Sequence, residues 1–145
     1  AGVHCCGNTD WSILMDTSVD IINFDAYEYF QGMTLYTEQL RAFLQRGGIL
    51  AWGIVPTSPR VTEESIASLT ANFTDKIAHL KSKGIQQKLL LNQALLTPSC
   101  GMGTLSVELS ERVIELLTGV SEVIRNRYFS DQKKKTITST TALNS

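Results

Sequence analysis

Asp20-Ile21-Ile22-Asn23-Phe24-Asp25-Ala26 carries apolar residues on both faces of an extended chain, Ile21 on one and Ile22, Phe24 and Ala26 on the other. A strand with one wet face alternates apolar and polar residues. Apolar residues on both faces suit a strand buried on both sides, as in a parallel sheet covered by helices, and the unbroken apolar run Ile49–Val55 reads the same way. Segments on either side extend this reading. Residues 1–6 form a short first strand closed by the turn signal Gly7-Asn8. Ile49 to Val55 is a third strand, ended by Pro56-Thr57-Ser58-Pro59, and Lys88 to about Leu96 is a fourth.

Helical periodicities lie between the strands. Thr9 or Asp10 can cap a short helix ending near Asp16. Leu40, Phe43 and Leu44 give Leu35–Arg46 an inward stripe, and Gly47-Gly48 stops it. Glu63 and Glu64 favour a helix start, because negative charge suits the N-terminal dipole. Ile66, Leu69, Phe73, Ile77 and Leu80 keep the period to Lys83, and Gly84 ends it. A last helix runs from about Ser106 to Tyr128, with Val113, Leu116, Leu117, Val120 and Ile124 on one face. The order is strand-helix four times over. It predicts an α/β fold, a parallel sheet with helices packed outside it. Residues 130–145, with Lys133-Lys134-Lys135 and a Ser/Thr-rich end, are expected to be a disordered tail beyond a domain of 1–129.

Bulk properties narrow the function. At 145 residues the chain can bury one real core. A net charge of −1 gives no basic field for nucleic acid or anionic membrane. There is no signal-peptide pattern and no apolar run long enough for a bilayer, so a cytoplasmic protein is expected. Three cysteines, two of them adjacent, fit thiol chemistry in a reducing compartment better than a disulfide framework.

In parallel β/α architectures, functional groups gather at the C-terminal strand ends. His4 and Cys6 lie at the first such end, Asp25 at the second, Thr57 and Ser58 after the third, and Cys100 after the fourth. Side chains alternate along an extended segment, so His4 and Cys6 face one way and Cys5 the other. Imidazole nitrogen and thiolate sulfur are the donors zinc prefers. A lone cysteine is more often a small buried hydrophobe, and a lone strand-end aspartate more often a turn residue. His-x-Cys together with a distant Cys favours a metal site. Thr57 and Ser58 are candidates for substrate binding. His79 reads as a solvated helix residue, Cys5 as core, and Trp11 and Trp52 as packing.

Four blocks together are similar to a known superfamily. They are His4-Cys5-Cys6-Gly7-Asn8-Thr9-Asp10, Asp20-Ile21-Ile22-Asn23-Phe24-Asp25, Gly53-Ile54-Val55-Pro56-Thr57-Ser58-Pro59-Arg60 and Ser99-Cys100-Gly101-Met102-Gly103-Thr104. The superfamily contains the catalytic domain of cobalamin-independent methionine synthase, the methylcobamide:thiol methyltransferases and uroporphyrinogen decarboxylase. The resemblance covers about residues 1–129. It implies a (β/α)8 barrel of the TIM type, of which four β/α units are the C-terminal half. The partner would then be the missing half or a second copy of the chain. It also implies zinc held by His4, Cys6 and Cys100, with Asp25 standing where the methionine synthases have a longer glutamate. The implied reaction, of methionine biosynthesis type, moves a methyl group from a methylfolate or methylcorrinoid to a small thiol such as homocysteine. Two alternatives stand beside it. One is a decarboxylase-like enzyme without metal, expected to line its site with arginines. The other is a non-catalytic half-barrel module with a structural zinc.

Overall fold

The computed structural model describes the backbone of residues 1–141 and the side chains of residues 1–130. Four strands, β1 (Gly2–Cys5), β2 (Ile21–Asp25), β3 (Ile49–Val55) and β4 (Ala94–Pro98), form one parallel sheet in the order β1-β2-β3-β4. The protein is thus α/β, as its strand pattern predicts. Parallel neighbours need crossover connections, and these are right-handed almost without exception. With strands in sequence order, that rule puts the helices on a single face.

The aromatic core shows which face this is. Trp11 of α1 (Trp11–Met15) meets Phe24 edge-on, with ring centroids 5.9 Å apart. Phe30 of α2 (Phe30–Met33) stacks on Trp52 at 6.1 Å, and Phe73 of α4 (Ile66–Ser82) meets the same indole at 5.2 Å. Phe24 and Trp52 are fully buried register partners, so three helices converge on one side of β2 and β3. Leu40, Phe43 and Leu44 of α3 (Thr37–Gln45) and Val113, Leu116, Val120 and Ile124 of α6 (Val107–Thr141) complete that core. The helix start predicted near Glu63-Glu64 falls two residues later: Ser65 caps α4 through a reciprocal hydrogen-bond pair with Ser68.

Two segments depart from the sequence reading. The fourth strand was expected from Lys88, but Gln87–Asn92 is a helical turn, α5, and β4 starts at Ala94. Lys88 to Leu91 are strong helix formers. Leu90 and Leu91 are buried together, which a continuous apolar run permits in either conformation. The last helix, expected to stop near Tyr128, continues in backbone to Thr141. No glycine or proline interrupts residues 120–141, and Gln132-Lys133-Lys134-Lys135 favour a helix. Of the segment set apart as a tail, residues 142–145 lie outside the described ones. Among the described residues, no helix is long and apolar enough to cross a membrane.

The opposite face of the sheet carries a different set. Register places His4, Asn23, Ala51 and Leu95 in one row, and Asp25, Gly53 and Thr97 in the next row toward the C-terminal strand ends. Leu95 is 47% exposed, although it sits in a strand. β1 and β4 each have a single strand neighbour.

Candidate metal centre

β1 delivers His4, and Cys6 follows one residue beyond its end. The Nδ1 atom of His4 lies 2.6 Å from Asn23 Oδ1. The amide nitrogen of Asn23 donates to Ala51 O and to Thr97 Oγ1, both at 2.9 Å. A carbonyl can only accept, so the atom facing Ala51 is the amide nitrogen and the atom facing His4 is the oxygen. His4 Nδ1 therefore carries a hydrogen and donates it. The Nε2 lone pair is left to point away, toward Cys100 Sγ at 3.7 Å. This is how an imidazole is usually prepared as a metal ligand, with its second nitrogen hydrogen-bonded to fix tautomer and ring orientation. The chain of bonds from Thr97 and Ala51 through Asn23 to His4 crosses all four strands.

Among the described residues, His4, Cys6 and Cys100 form a group whose donor atoms lie within 4.8 Å of one another. With Zn–S near about 2.3 Å and Zn–N near about 2.0 Å, the edges of a tetrahedral site are about 3.5–3.8 Å. The 3.7 Å separation of His4 Nε2 and Cys100 Sγ matches such an edge. One nitrogen and two sulfurs suit zinc by ligand type.

The electrostatics belong to three groups sharing protons. Burial alone would lower the pKa of His4, but its contacts with Cys100 and Asn23 outweigh burial, and the pKa is raised. The Cys100 thiol is lowered, first by its hydrogen bond with His4 and then by the Gly101 backbone. Cys6 is pushed up, chiefly by its hydrogen bond with Cys100. Of the two thiols in the group, Cys100 is the one whose pKa is lowered and Cys6 the one whose pKa is raised. All three cysteines are free thiols. Cys5 faces the core side and donates to Gly7 O, in keeping with its reading as a packing residue.

Asp25 sits beside this group rather than within it. Its Oδ1 accepts the backbone N–H of Tyr27 at 3.0 Å and of Glu28 at 2.9 Å, closing the turn after β2. The side chain is buried, and loss of solvent raises its pKa. Thr57 is engaged elsewhere: its backbone N–H and its hydroxyl both meet Ser99 Oγ at 3.2 Å. Ser58 precedes the 3₁₀ turn Pro59–Glu63 and lies outside the metal group. Arg60, the arginine nearest a strand end, pairs with Glu28 and lies over the Tyr27 ring. His79, read as solvated, packs edge-on against Phe30 at 5.8 Å. Two site residues are given no role by the sequence reading, which weighs Ser99 with Ser58 and Asp25 only as a triad and sets it aside. Asn23 could have been noticed as the one amide inside an apolar strand. Ser99 had no signal beyond its place next to Cys100.

No family model, no curated protein and no solved structure matches this chain.

Proposed function

We propose that this chain is a zinc-dependent methyltransferase module that passes a methyl group to the sulfur of a small thiol, homocysteine or a relative of it. The observation that carries the reading is the meeting of His4, Cys6 and Cys100, which are 96 residues apart at their extremes. Neutral His4 and the two cysteine thiolates would hold the zinc. When bound, zinc supplies a Lewis acid that keeps an acceptor thiol in its nucleophilic thiolate form at neutral pH. Asn23 holds the imidazole in the tautomer that presents Nε2. Cys100, with its lowered pKa, gives up its proton most easily. Three protein donors would leave one position open for the acceptor sulfur, as catalytic rather than structural zinc sites do. Asp25 supports the site from the next strand, a buried carboxylate close to the charged group.

The sheet is best read as four consecutive β/α units of a (β/α)8 barrel. Sequential parallel order, helices on one side and two open edges are what half of such a barrel presents. A cleft of about 360 Å³ runs between β4 and α6, lined by Leu91, Leu95, Leu96, Ile124 and Phe129. A further strand beside β4 would lie there. The missing half, from a longer chain or a second copy, would then bring the groups that recognise the methylfolate or methylcorrinoid donor. A decarboxylase-like reading finds no support in Arg60, whose guanidinium is already engaged by Glu28 and Tyr27.

Elemental analysis of the purified protein, followed by zinc-edge X-ray absorption with and without homocysteine, tests the proposal. About one zinc per chain is expected, gaining a sulfur neighbour when thiol is added. A zinc-free protein, or a zinc whose neighbours ignore the thiol, would sink it.

A further inference from the structure

We propose that Gly53 and the Thr57–Ser99 clasp form a positioning device that seats Cys100 against His4 and Cys6. The consequence for metal rests on the zinc reading above; the placement of Cys100 itself rests on packing alone.

The problem solved by this device is distance. Cys100 follows β4, and His4 lies on β1, with two strands between them. Strands are spaced about 4.8 Å apart, so about 14 Å separates the two edges across a flat sheet. Cys100 Sγ nevertheless stands 3.7 Å from His4 Nε2. The chain leaving β4 must therefore turn inward across the ends of β3 and β2.

Three features make that turn. The β3–β4 ladder slips between Gly53 and Val55: Gly53 pairs with Thr97, but Val55 pairs with Pro98. The extra residue on β3 bends the pair at its C-terminal end, as bulges do. Gly53 then leaves the inner face empty where the chain passes. A Cβ built there would lie 2.7 Å from Ser99 Cα, 2.7 Å from Phe24 O and 3.1 Å from Pro98 O. Real Cβ atoms essentially never come within 3.0 Å of a neighbour, and here the neighbours are backbone, which cannot swing aside. Finally, Ser99 is pinned. It is 5% exposed, its N–H donates to Val55 O at 2.8 Å, and its hydroxyl meets both the N–H and the hydroxyl of Thr57. Cys100 is the next residue, so its thiol goes where Ser99 is held. The loop beyond needs no such approach, because a Cβ at Gly101 or Gly103 would meet nothing within 4 Å.

Gly53, Thr57 and Ser99 act through Cys100 and are positioning residues. The test uses a Cys5→Ser parent, which keeps a donor for Gly7 O and leaves Cys6 and Cys100 as the two thiols. Gly53→Ala, Thr57→Val, Thr57→Ser and Gly103→Ala are compared in it. Two probes are applied: zinc affinity by chelator competition, and capture of phenylarsine oxide by the metal-free protein. In the second, two As–S bonds form while the oxide oxygen leaves as water with the two thiol protons, so both sulfurs must be close.

Gly53→Ala and Thr57→Val are expected to lose at least about tenfold in zinc affinity, the scale seen when groups behind a metal ligand are removed, and to slow arsenical capture. Thr57→Ser and Gly103→Ala should behave as the parent. Parent-like capture and affinity in both Gly53→Ala and Thr57→Val would overturn the inference. If Gly53→Ala does not fold, the contrast between Thr57→Val and Thr57→Ser decides alone. If the parent binds no zinc yet captures the arsenical with the same dependence on Thr57, the metal reading fails and the positioning device stands.

Discussion

Replacing Asn23 separates the folding of the sheet from the preparation of its histidine. Asn23 makes three hydrogen bonds: to Ala51 O and Thr97 Oγ1 at 2.9 Å, both part-buried, and to His4 Nδ1 at 2.6 Å. Each such bond contributes about 0.5–1.5 kcal/mol net. Asn23→Ala removes all three and is expected to lower metal-free stability by about 2–4 kcal/mol. For a chain of this size that is a fall in Tm of about 5–15 °C. Zinc affinity should fall about 10–100-fold, because His4 would lose the partner that fixes its tautomer. Asn23→Asp changes one half of this balance. A carboxylate still accepts from His4 Nδ1, so zinc affinity should stay within a few-fold of wild type. The donation to Ala51 O is lost, and two oxygens face each other, so stability should fall much as in the alanine variant. Thermal melts of the metal-free proteins and zinc competition titrations read the two effects separately. Equal zinc affinity in wild type and Asn23→Ala would refute the claim that Asn23 prepares His4.

Trp52→Ala should cost about 3–5 kcal/mol by urea denaturation, since the indole is fully buried among Phe24, Phe30 and Phe73; a cost near 1 kcal/mol would mean that the aromatic core is not shared by the helices. Zinc affinity should climb with pH through neutrality and beyond, because the raised pKa values of His4 and Cys6 leave protons for the metal to displace. Calorimetry in buffers of different ionisation heat should show that proton release, and a pH-independent affinity would count against these ligands. Asp25→Asn should keep about one zinc per chain, because an amide oxygen can replace Oδ1 as acceptor for Tyr27 and Glu28. Loss of the metal in that variant would make Asp25 a fourth ligand.

The parallel sheet was legible because buried strands carry an unbroken apolar signal, as Ile49–Val55 does here. The same signal failed at Lys88–Leu91, where a buried helical turn and a buried strand look alike. Alternation along β1 separated Cys6 from Cys5, and the structure groups Cys6 with His4 and Cys100. The seating of Cys100 was not legible. It depends on Gly53 lying beneath Ser99, residues far apart in sequence that meet only after β3 and β4 pair with a slip. Thr57 shows the limit of reasoning from strand ends: a hydroxyl in the expected place is committed to Ser99, its neighbour in space.

The proposed metal joins the first strand of the sheet to the segment leaving the last. These edge strands, each with one neighbour, are the parts of the sheet expected to open first in local fluctuations. A metal held by both His4 and Cys100 would also close a loop of about two-thirds of the chain, a slow kind of contact to form by diffusion. Metal uptake would thus come late in folding, after the inner strands have paired. Metal loss would have to wait until an edge frays. Amide hydrogen exchange in β1 and β4 should then slow together on metal binding, as if two ends of a spring had been clipped.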